Sequence, residues 1–148
     1  MALHLKSTGI DFTDFGDATE SSELLDDYEE GTWTVTHTDW QFSAEDGDYT
    51  KIGNRVNIGG YVKVGSGSSS GNAWLGLPFT VASDGGTGGG NCIWNDMATY
   101  QSRTHLFPRA AASESNFHIY CNSPSTGWSV ILIPDTNNFI VWNMHYRE

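Results

Sequence analysis

The ten residues from Arg55 to Val64 alternate between apolar and polar side chains, and this period of two constrains the fold more than any other feature of the chain. One face carries Val56, Ile58, Val62 and Val64, and the other carries Arg55, Asn57, Tyr61 and Lys63. Successive side chains of a strand point to opposite faces, so the run predicts a half-buried β-strand. The preceding segment Lys51–Arg55 predicts a hairpin turn, because Gly53 and Asn54 tolerate positive φ.

Short runs of high β preference recur along the rest of the chain, separated by stretches rich in glycine, serine or asparagine. The other predicted strands are Thr32–Thr38, Tyr49–Ile52, Asn72–Leu77, Asn91–Trp94, Arg103–Phe107, Phe117–Asn122, Trp128–Ile133 and Phe139–Tyr146. Trp128–Ile133 is apolar on both faces, which predicts a central strand covered on each side. The spacing of turns predicts an all-β fold, an antiparallel β-sandwich of jelly-roll type.

Two glycine-rich segments, Gly65–Gly71 and Ala82–Asn91, are predicted to be mobile connecting loops. Glycine runs of this kind can also cradle a phosphate. That interpretation fails here, because neither segment leads into a GK[ST] sequence or a helix N-terminus that would hold an anion.

The charge of the chain is concentrated near its start. The 148 residues carry a formal net charge of −11, and residues 1–30 hold nine of the eighteen acids and one base, Lys6. We therefore expect an acidic extended arm, residues 1–30, leading into one β domain, residues 31–148. The sequence offers no basic stripe for nucleic acid and no lysine or arginine cluster for an anionic membrane. It also has no apolar run near the ~20 residues that span a bilayer, and no cleavable signal pattern.

Residues that could support metal, redox or catalytic chemistry are present but lack the required spacing. Cys92 and Cys121 are interpreted as two buried thiols, with a single disulfide left open. Glu45–Asp48 and Asp135–Asn138 have the oxygen density of a calcium site without its distal glutamate, so both predict turns. The five histidines are scattered; a metal ligated once per chain on a threefold axis stays open. We expect no cofactor.

A catalytic centre is not expected either. The cluster Asp26, Asp27, Glu29 and Glu30 lies on neighbouring positions, whereas glycoside hydrolysis needs two carboxyls facing each other across a cleft. The sequence contains no GxSxG elbow and no cysteine or serine in a nucleophile context. Only when it is joined to the family resemblance described next does this absence predict a protein that is not an enzyme.

Several segments together resemble a known family. Leu24–Thr36 and Asp48–Val62, with the acidic lead-in from Gly9, Leu75–Thr80 and the closing Ile140–Glu148, are similar to the C-terminal, receptor-binding tip domain of bacteriophage tail-fibre and tail-spike proteins. The resemblance implies a homotrimer joined to a fibre shaft or other tail proteins, made in the host cytoplasm and carried on the virion. It implies attachment to a host surface receptor, with a glycan favoured. The alternatives are a polysaccharide depolymerase and a purely structural trimerising cap.

Aromatic residues are the best candidates for receptor contact, since a sugar ring stacks on an exposed aromatic face and bonds to nearby polar groups. Trp33, Trp142 and Phe79 are predicted to be core, whereas Trp40, Trp74, Trp94, Tyr100 and Trp128 lie near predicted loops. The densest aromatic and polar group lies in the segment that resembles nothing known, beside the loop Ala82–Asn91. The predicted receptor-binding residues are Trp94, Asn95, Asp96, Tyr100 and Arg103, with burial in the core or in a trimer interface as the alternative for each.

Overall fold

The chain forms twelve described β-strands, and the described residues contain no helix. The computed structural model describes residues 4–6, 9–11, 24–25, 28–67, 73–95, 105–123, 127–130 and 138–148. The strands are β1 (His4–Lys6), β2 (Gly9–Asp11), β3 (Leu24–Leu25), β4 (Tyr28–Thr32), β5 (Trp40–Ile52), β6 (Arg55–Gly67), β7 (Trp74–Gly76), β8 (Gly88–Trp94), β9 (Leu106–Ala110), β10 (Asn116–Ser123), β11 (Gly127–Val130) and β12 (Phe139–Arg147). The predicted all-β class is confirmed.

Nine of these strands form one antiparallel sheet in the order β11-β10-β9-β8-β12-β6-β5-β4, with β7 paired to β10. Strands β5 and β6 form the longest hairpin, and Ile52 pairs with Arg55 across its turn. Gly53 has a φ of 56°, as expected for the first position of a two-residue type II′ turn. The predicted hairpin is therefore confirmed.

The sheet is curled into half of a barrel, and its concave face encloses the core. Two strands lie between β10 and β12, yet the ring centroids of Phe117 and Trp142 are only 5.5 Å apart. Residues 33–37 span the concave side, since Trp33 Nε1 donates to the carbonyl of Gly76 at 3.1 Å and Gly76 N donates to Thr36 O at 3.0 Å. These contacts link the β4 end of the sheet to β7.

The core follows the alternation of the central strands. The predicted inner face of β6 is confirmed, because all four of its apolar residues are at most 4% exposed. Strand β12 shows the same period: Ile140, Trp142, Met144 and Tyr146 are buried, and the residues between them are exposed. The concave face is thus apolar and the convex face is exposed to solvent.

Three local predictions were wrong, each for a reason visible in the packing. Glu45–Asp48 is not a turn but part of β5, where a Cβ on Gly47 would lie 2.9 Å from the ring of Trp33. Thr32–Thr38 is a strand only at Thr32, because residues 33–37 instead make the bridge to β7. The described part of Trp128–Ile133 belongs to β11, which is the last strand of the sheet and not a central one.

The glycine-rich segments also differ from the predicted loops. Gly65–Gly67 extends β6, and residues 68–71 lie outside the described part of the chain. Gly88–Asn91 belongs to β8, so only residues 82–87 form a loop. A Cβ on Gly90 would lie 2.5 Å from Met144 Cα and closer still to Asn143 O, so this glycine is required where β8 approaches β12.

The predicted boundary between arm and domain, at residues 30 and 31, falls inside β4. This strand pairs with β5 from Tyr28↔Ile52 to Thr32↔Asp48 and therefore belongs to the main sheet. Earlier in the chain, β1, β2 and β3 form a small antiparallel sheet of their own.

Candidate functional site

The convex face of the sheet presents an exposed apolar patch, here called the apolar band. Ile93 on β8 pairs with Val141 on β12, and Val141 pairs with Tyr61 on β6, so the three side chains form one row across three strands. Phe139 lies two residues before Val141 on the same face. Ile93 is 67% exposed and the other three are about 40% exposed. Contiguous exposed apolar side chains of this kind mark an interaction surface.

Polar residues cover the middle of the same face. Moving along β12 from the apolar band, the next outward residue is Asn143, which pairs with Asn91 on one side and with Gly59 on the other. Gly59 in turn pairs with Asp48 of β5. Gly59 has no side chain, so the Asp48 carboxylate lies close to the backbone here. A Cβ at position 59 would lie 3.3 Å from Asp48 Oδ1.

The far end of the face carries a mixed aromatic, apolar and cationic row, here called the end row. Its members are cross-strand neighbours on the convex face: Tyr28 on β4, Ile52 on β5, Arg55 on β6 and Arg147 on β12. Tyr28 is 52% exposed, and its hydroxyl donates to Glu30 Oε2 at 2.8 Å. That hydrogen bond to a carboxylate raises the pKa of Tyr28. The row therefore offers an accessible ring and two guanidinium groups.

A cleft of about 240 Å³ adjoins the end row, between the β7–β8 loop and the ends of β6 and β12. Its lining includes Arg55, Asp84, Gly86, Thr87, His145 and Arg147. The loop is fixed in place by Ala82 N, which donates to Arg147 O at 2.8 Å, and by Val81 N, which donates to Glu114 O at 2.9 Å. The cleft is thus built from ordered backbone on both of its sides.

Positive charge is concentrated at this cleft. Arg55 and Arg147 are direct cross-strand partners, and like charges placed opposite each other destabilise a sheet. Arg147 forms an ion pair with Asp84, and its Nε is buried with no hydrogen-bond partner among the described residues. The side chain of Arg55 is exposed and forms no hydrogen bond or ion pair with other described residues. The nearby Lys51 Nζ lies 2.7 Å from Glu148 Oε2.

Tyr146 also lines the cleft, but it is only 1% exposed and its side chain belongs to the core. Burial raises its pKa well above the ordinary tyrosine value, the hydrogen bond from Phe79 N to its hydroxyl (3.3 Å) opposes the shift, and Glu148 adds to it. The tyrosine therefore acts as a neutral packing residue. His145 is on the exposed face of β12 at the cleft mouth.

The structure describes two of the five predicted receptor-binding residues. Trp94 is 3% exposed and belongs to the core, so its ring does not offer a stacking face. Asn95 is exposed, and its Oδ1 accepts a hydrogen bond from Phe139 N at 2.8 Å. Asp96, Tyr100 and Arg103 lie outside the described residues, and receptor contact by them stays a prediction.

Two of the other aromatics expected near loops, Trp40 and Trp74, pack together around His37. Trp40 is 4% exposed, and His37 stacks on it with centroids 3.9 Å apart. The other face of His37 stacks on Trp74 at 4.6 Å, and its Nδ1 accepts hydrogen bonds from Asp39 N and Trp40 N. This cluster anchors the start of β5. The side chain of Trp128 lies outside the described part, whereas Trp33, Phe79 and Trp142 pack in or against the core as predicted.

Neither cysteine is in a disulfide. Cys121 is buried, and its sulfur lies 3.3 Å from Ser129 O. Burial raises the pKa of the Cys92 thiol to about 12. Among the described residues no group of three or more His, Cys, Asp or Glu side chains is placed to hold a metal ion, and no helix has the length and apolarity needed to cross a membrane.

Sequence reasoning missed the cleft because its residues are far apart along the chain. The clearest signal available was an arginine directly after a hairpin turn, but its pairing with Arg147 depends on the register of β6 and β12. In comparisons with known proteins, the chain matches no family model, no curated protein and no solved structure. Its function is therefore inferred from the residues and from the geometry of the convex face.

Proposed function

We propose that this chain is the tip domain of a bacteriophage tail fibre or tail spike, carried on the virion, and that it attaches the particle to a glycan on the host surface. The sequence resemblance motivates the class of protein, and the end row carries the proposal for its activity. An exposed tyrosine and two arginines on an open sheet face suit a sugar chain, because the ring stacks on C–H groups while charged and polar groups bind hydroxyls.

The shape of this surface favours binding over cleavage. Strands are about 4.8 Å apart, so the end row extends roughly 14 Å from Tyr28 to Arg147, about the reach of a short oligosaccharide. Among the described residues Asp84 is the one carboxylate that lines the cleft, and it is held in an ion pair with Arg147. Hydrolysis by the usual pair of carboxyls needs a second one across the bond. These observations support a binder over a depolymerase.

The apolar band supports the trimer that belongs to this proposal. Ile93, Val141 and Tyr61 form an exposed row at the opposite end of β12 from the cleft, so copies that pack there leave the end row open. A homotrimer would have a mass of about 49 kDa, three times the chain mass of 16.2 kDa. The halves of the curled sheet then serve as the two layers of a jelly-roll-type sandwich.

Binding to whole bacterial cells and to their purified surface polysaccharides tests the activity. Tyr28→Ala should lower affinity about tenfold or more, since removal of a stacking ring costs at least ~1.4 kcal/mol, whereas Tyr28→Phe keeps the ring and should retain binding. A purified chain that neither binds cells nor competes with phage adsorption would favour the structural cap. Release of new reducing ends from the polysaccharide would instead identify a depolymerase.

Sedimentation tests the assembly. Ile93→Glu should shift the mass from the trimer to the monomer, because a charge at the centre of an apolar interface is left unpaired. Ile52→Glu is the matched control, since Ile52 is also exposed, at 44%, but lies in the end row. A wild-type chain that sediments near 16 kDa at micromolar concentrations would contradict the trimer.

A further inference from the structure

We propose that the cleft beside the end row binds the carboxylate of an acidic sugar residue. The proposal rests on the glycan-binding function above and names the chemistry of the ligand. Its first support is electrostatic: Arg55 and Arg147 face each other across β6 and β12 in a chain whose net charge is −11. A pair of like charges at directly opposed positions costs stability, and an anion between the two guanidinium groups removes that cost.

The unused hydrogen-bonding capacity of the two arginines is the second support. Asp84 pairs with Nη2 of Arg147, and the Arg147 side chain is still 35% exposed. Arg55 brings a second, exposed guanidinium with no partner in the described part of the chain. A planar guanidinium binds a carboxylate through two parallel hydrogen bonds, so an oxyanion in the cleft has donors from both sides.

The size and net charge of the cleft limit the ligand further. Its volume of about 240 Å³ is below the roughly 300–1,000 Å³ of sites for drug-sized ligands, so it admits one sugar ring. Two arginines and one aspartate leave a single positive charge, which suits a monoanion. His145 and Thr87 on the lining provide hydrogen-bonding groups for ring hydroxyls, and the rest of the chain continues along the end row toward Tyr28.

The site is tested by the binding of small probes to the full chain. Binding is measured by isothermal titration calorimetry and by the shift in melting temperature. We expect sodium glucuronate to bind at least tenfold more tightly than glucose, which has the same ring without the carboxylate. Sodium sulfate should bind at least tenfold more weakly than glucuronate. Equal binding of glucose and glucuronate, or of sulfate and glucuronate, would overturn the proposal.

Two substitutions with opposite expected effects sharpen the test. Arg55→Gln should weaken glucuronate binding about tenfold to a hundredfold, the cost of losing hydrogen bonds to a charged group. Asp84→Asn should strengthen it about twofold or more, because Arg147 is released from its ion pair. Lys63→Gln is the matched control: it removes a cation from the same strand at the apolar-band end and should change nothing.

The fold of the Arg55→Gln variant is expected to survive, since the side chain is exposed and its removal relieves the repulsion from Arg147. Arg55→Lys keeps the positive charge but loses the planar guanidinium that donates two parallel hydrogen bonds, so it should give an intermediate loss of affinity. Unchanged glucuronate binding in both variants would overturn the proposal.

Whole-cell adsorption separates this proposal from the function on which it rests. If the wild-type chain does not adsorb to cells but binds glucuronate through Arg55, the proposed site is supported and the proposed attachment function is contradicted. If the wild-type chain adsorbs to cells but Arg55→Gln binds glucuronate as tightly as the wild type does, the attachment function is supported and the proposed site is contradicted.

Discussion

One partly buried thiol, Cys92, and one buried phenol, Tyr146, make the stability of this fold sensitive to alkaline pH. Burial raises the pKa of Cys92 from 9.0 to about 12 and raises that of Tyr146 above its ordinary value of 10.0. In the unfolded chain both groups lose their protons at the ordinary values, so between those values and the native ones the native state binds more protons. Stability is then complete below about pH 9 and falls as pH rises.

The size of the loss follows from the two pKa values of each group. At about pH 10.5 the unfolded thiol is almost fully ionised while the native thiol is not, which lowers the free energy of unfolding by up to about 2 kcal/mol. Tyr146 adds about 1 kcal/mol. Its contribution is smaller because about pH 10.5 is only half a unit above the ordinary tyrosine pKa, so the unfolded hydroxyl is only somewhat more than half ionised. A fold of this size has an unfolding free energy of only about 5–15 kcal/mol, so the combined change is measurable.

Urea unfolding at about pH 8 and pH 10.5, followed by far-UV circular dichroism at one fixed protein concentration, measures the change. The free energy of unfolding lost between about pH 8 and pH 10.5 should be smaller than in the wild type by up to about 2 kcal/mol in Cys92→Ala and by about 1 kcal/mol in Tyr146→Phe. This holds whatever each substitution costs at about pH 8. If wild type and Cys92→Ala lose the same free energy between the two pH values, the reasoning is refuted.

Three further substitutions test the packing. Gly90→Ala should lower the free energy of unfolding by about 3 kcal/mol in urea titrations, since its Cβ would meet the backbone of Met144. Gly89→Ala, whose Cβ would lie 3.9 Å from the carbonyl oxygen of Pro108, should cost under ~1 kcal/mol, and equal effects would contradict the required close approach. His37→Ala should cost about 2 kcal/mol by thermal denaturation, because two stacked indoles and two backbone N–H groups lose their partner. Trp33→Phe keeps an aromatic ring but loses the indole N–H that bonds to β7 and part of the packed surface, so calorimetry should show a loss of at least about 1 kcal/mol, and an unchanged melting temperature would show that this bond contributes nothing.

Periodicity predicted the strands whose alternation is strong and failed where glycines or acids form part of a strand. Arg55–Val64 was located correctly because its valines and isoleucine face a core. The first half of β5 was missed because Glu45–Asp48 contains residues that are depleted in strands, although its outward carboxylates are simply solvated. The glycines of β8 look like a loop in the sequence, and only the close approach of β12 explains them.

The candidate site was less predictable than the fold, for a geometric reason. Trp94 and its neighbours form a dense polar and aromatic group in the sequence, but local density does not say which side of a strand a ring occupies, and Trp94 faces inward. The cleft brings together Arg55, Asp84 and Arg147 through strand register and loop closure. Those distances are set by pairing between segments far apart in the chain and leave no local pattern in the sequence.

The position of β12 between β6 and β8 has a consequence for synthesis on the ribosome. Lys63 pairs with Phe139 and Arg55 with Arg147, so the partners at the middle of the sheet are roughly 80 residues apart. At about 5–20 residues per second, β6 leaves the ribosome some 4–16 seconds before its partner.

During that interval the β5–β6 hairpin has one free edge and an uncovered row of valine and isoleucine side chains, which is a template for pairing with another chain. On a polysome the nearest such edge belongs to the β6 strand of a neighbouring nascent copy. Expression yield should therefore depend on translation speed between residues 67 and 139, where slower codons would prolong the time in which the two edges can meet.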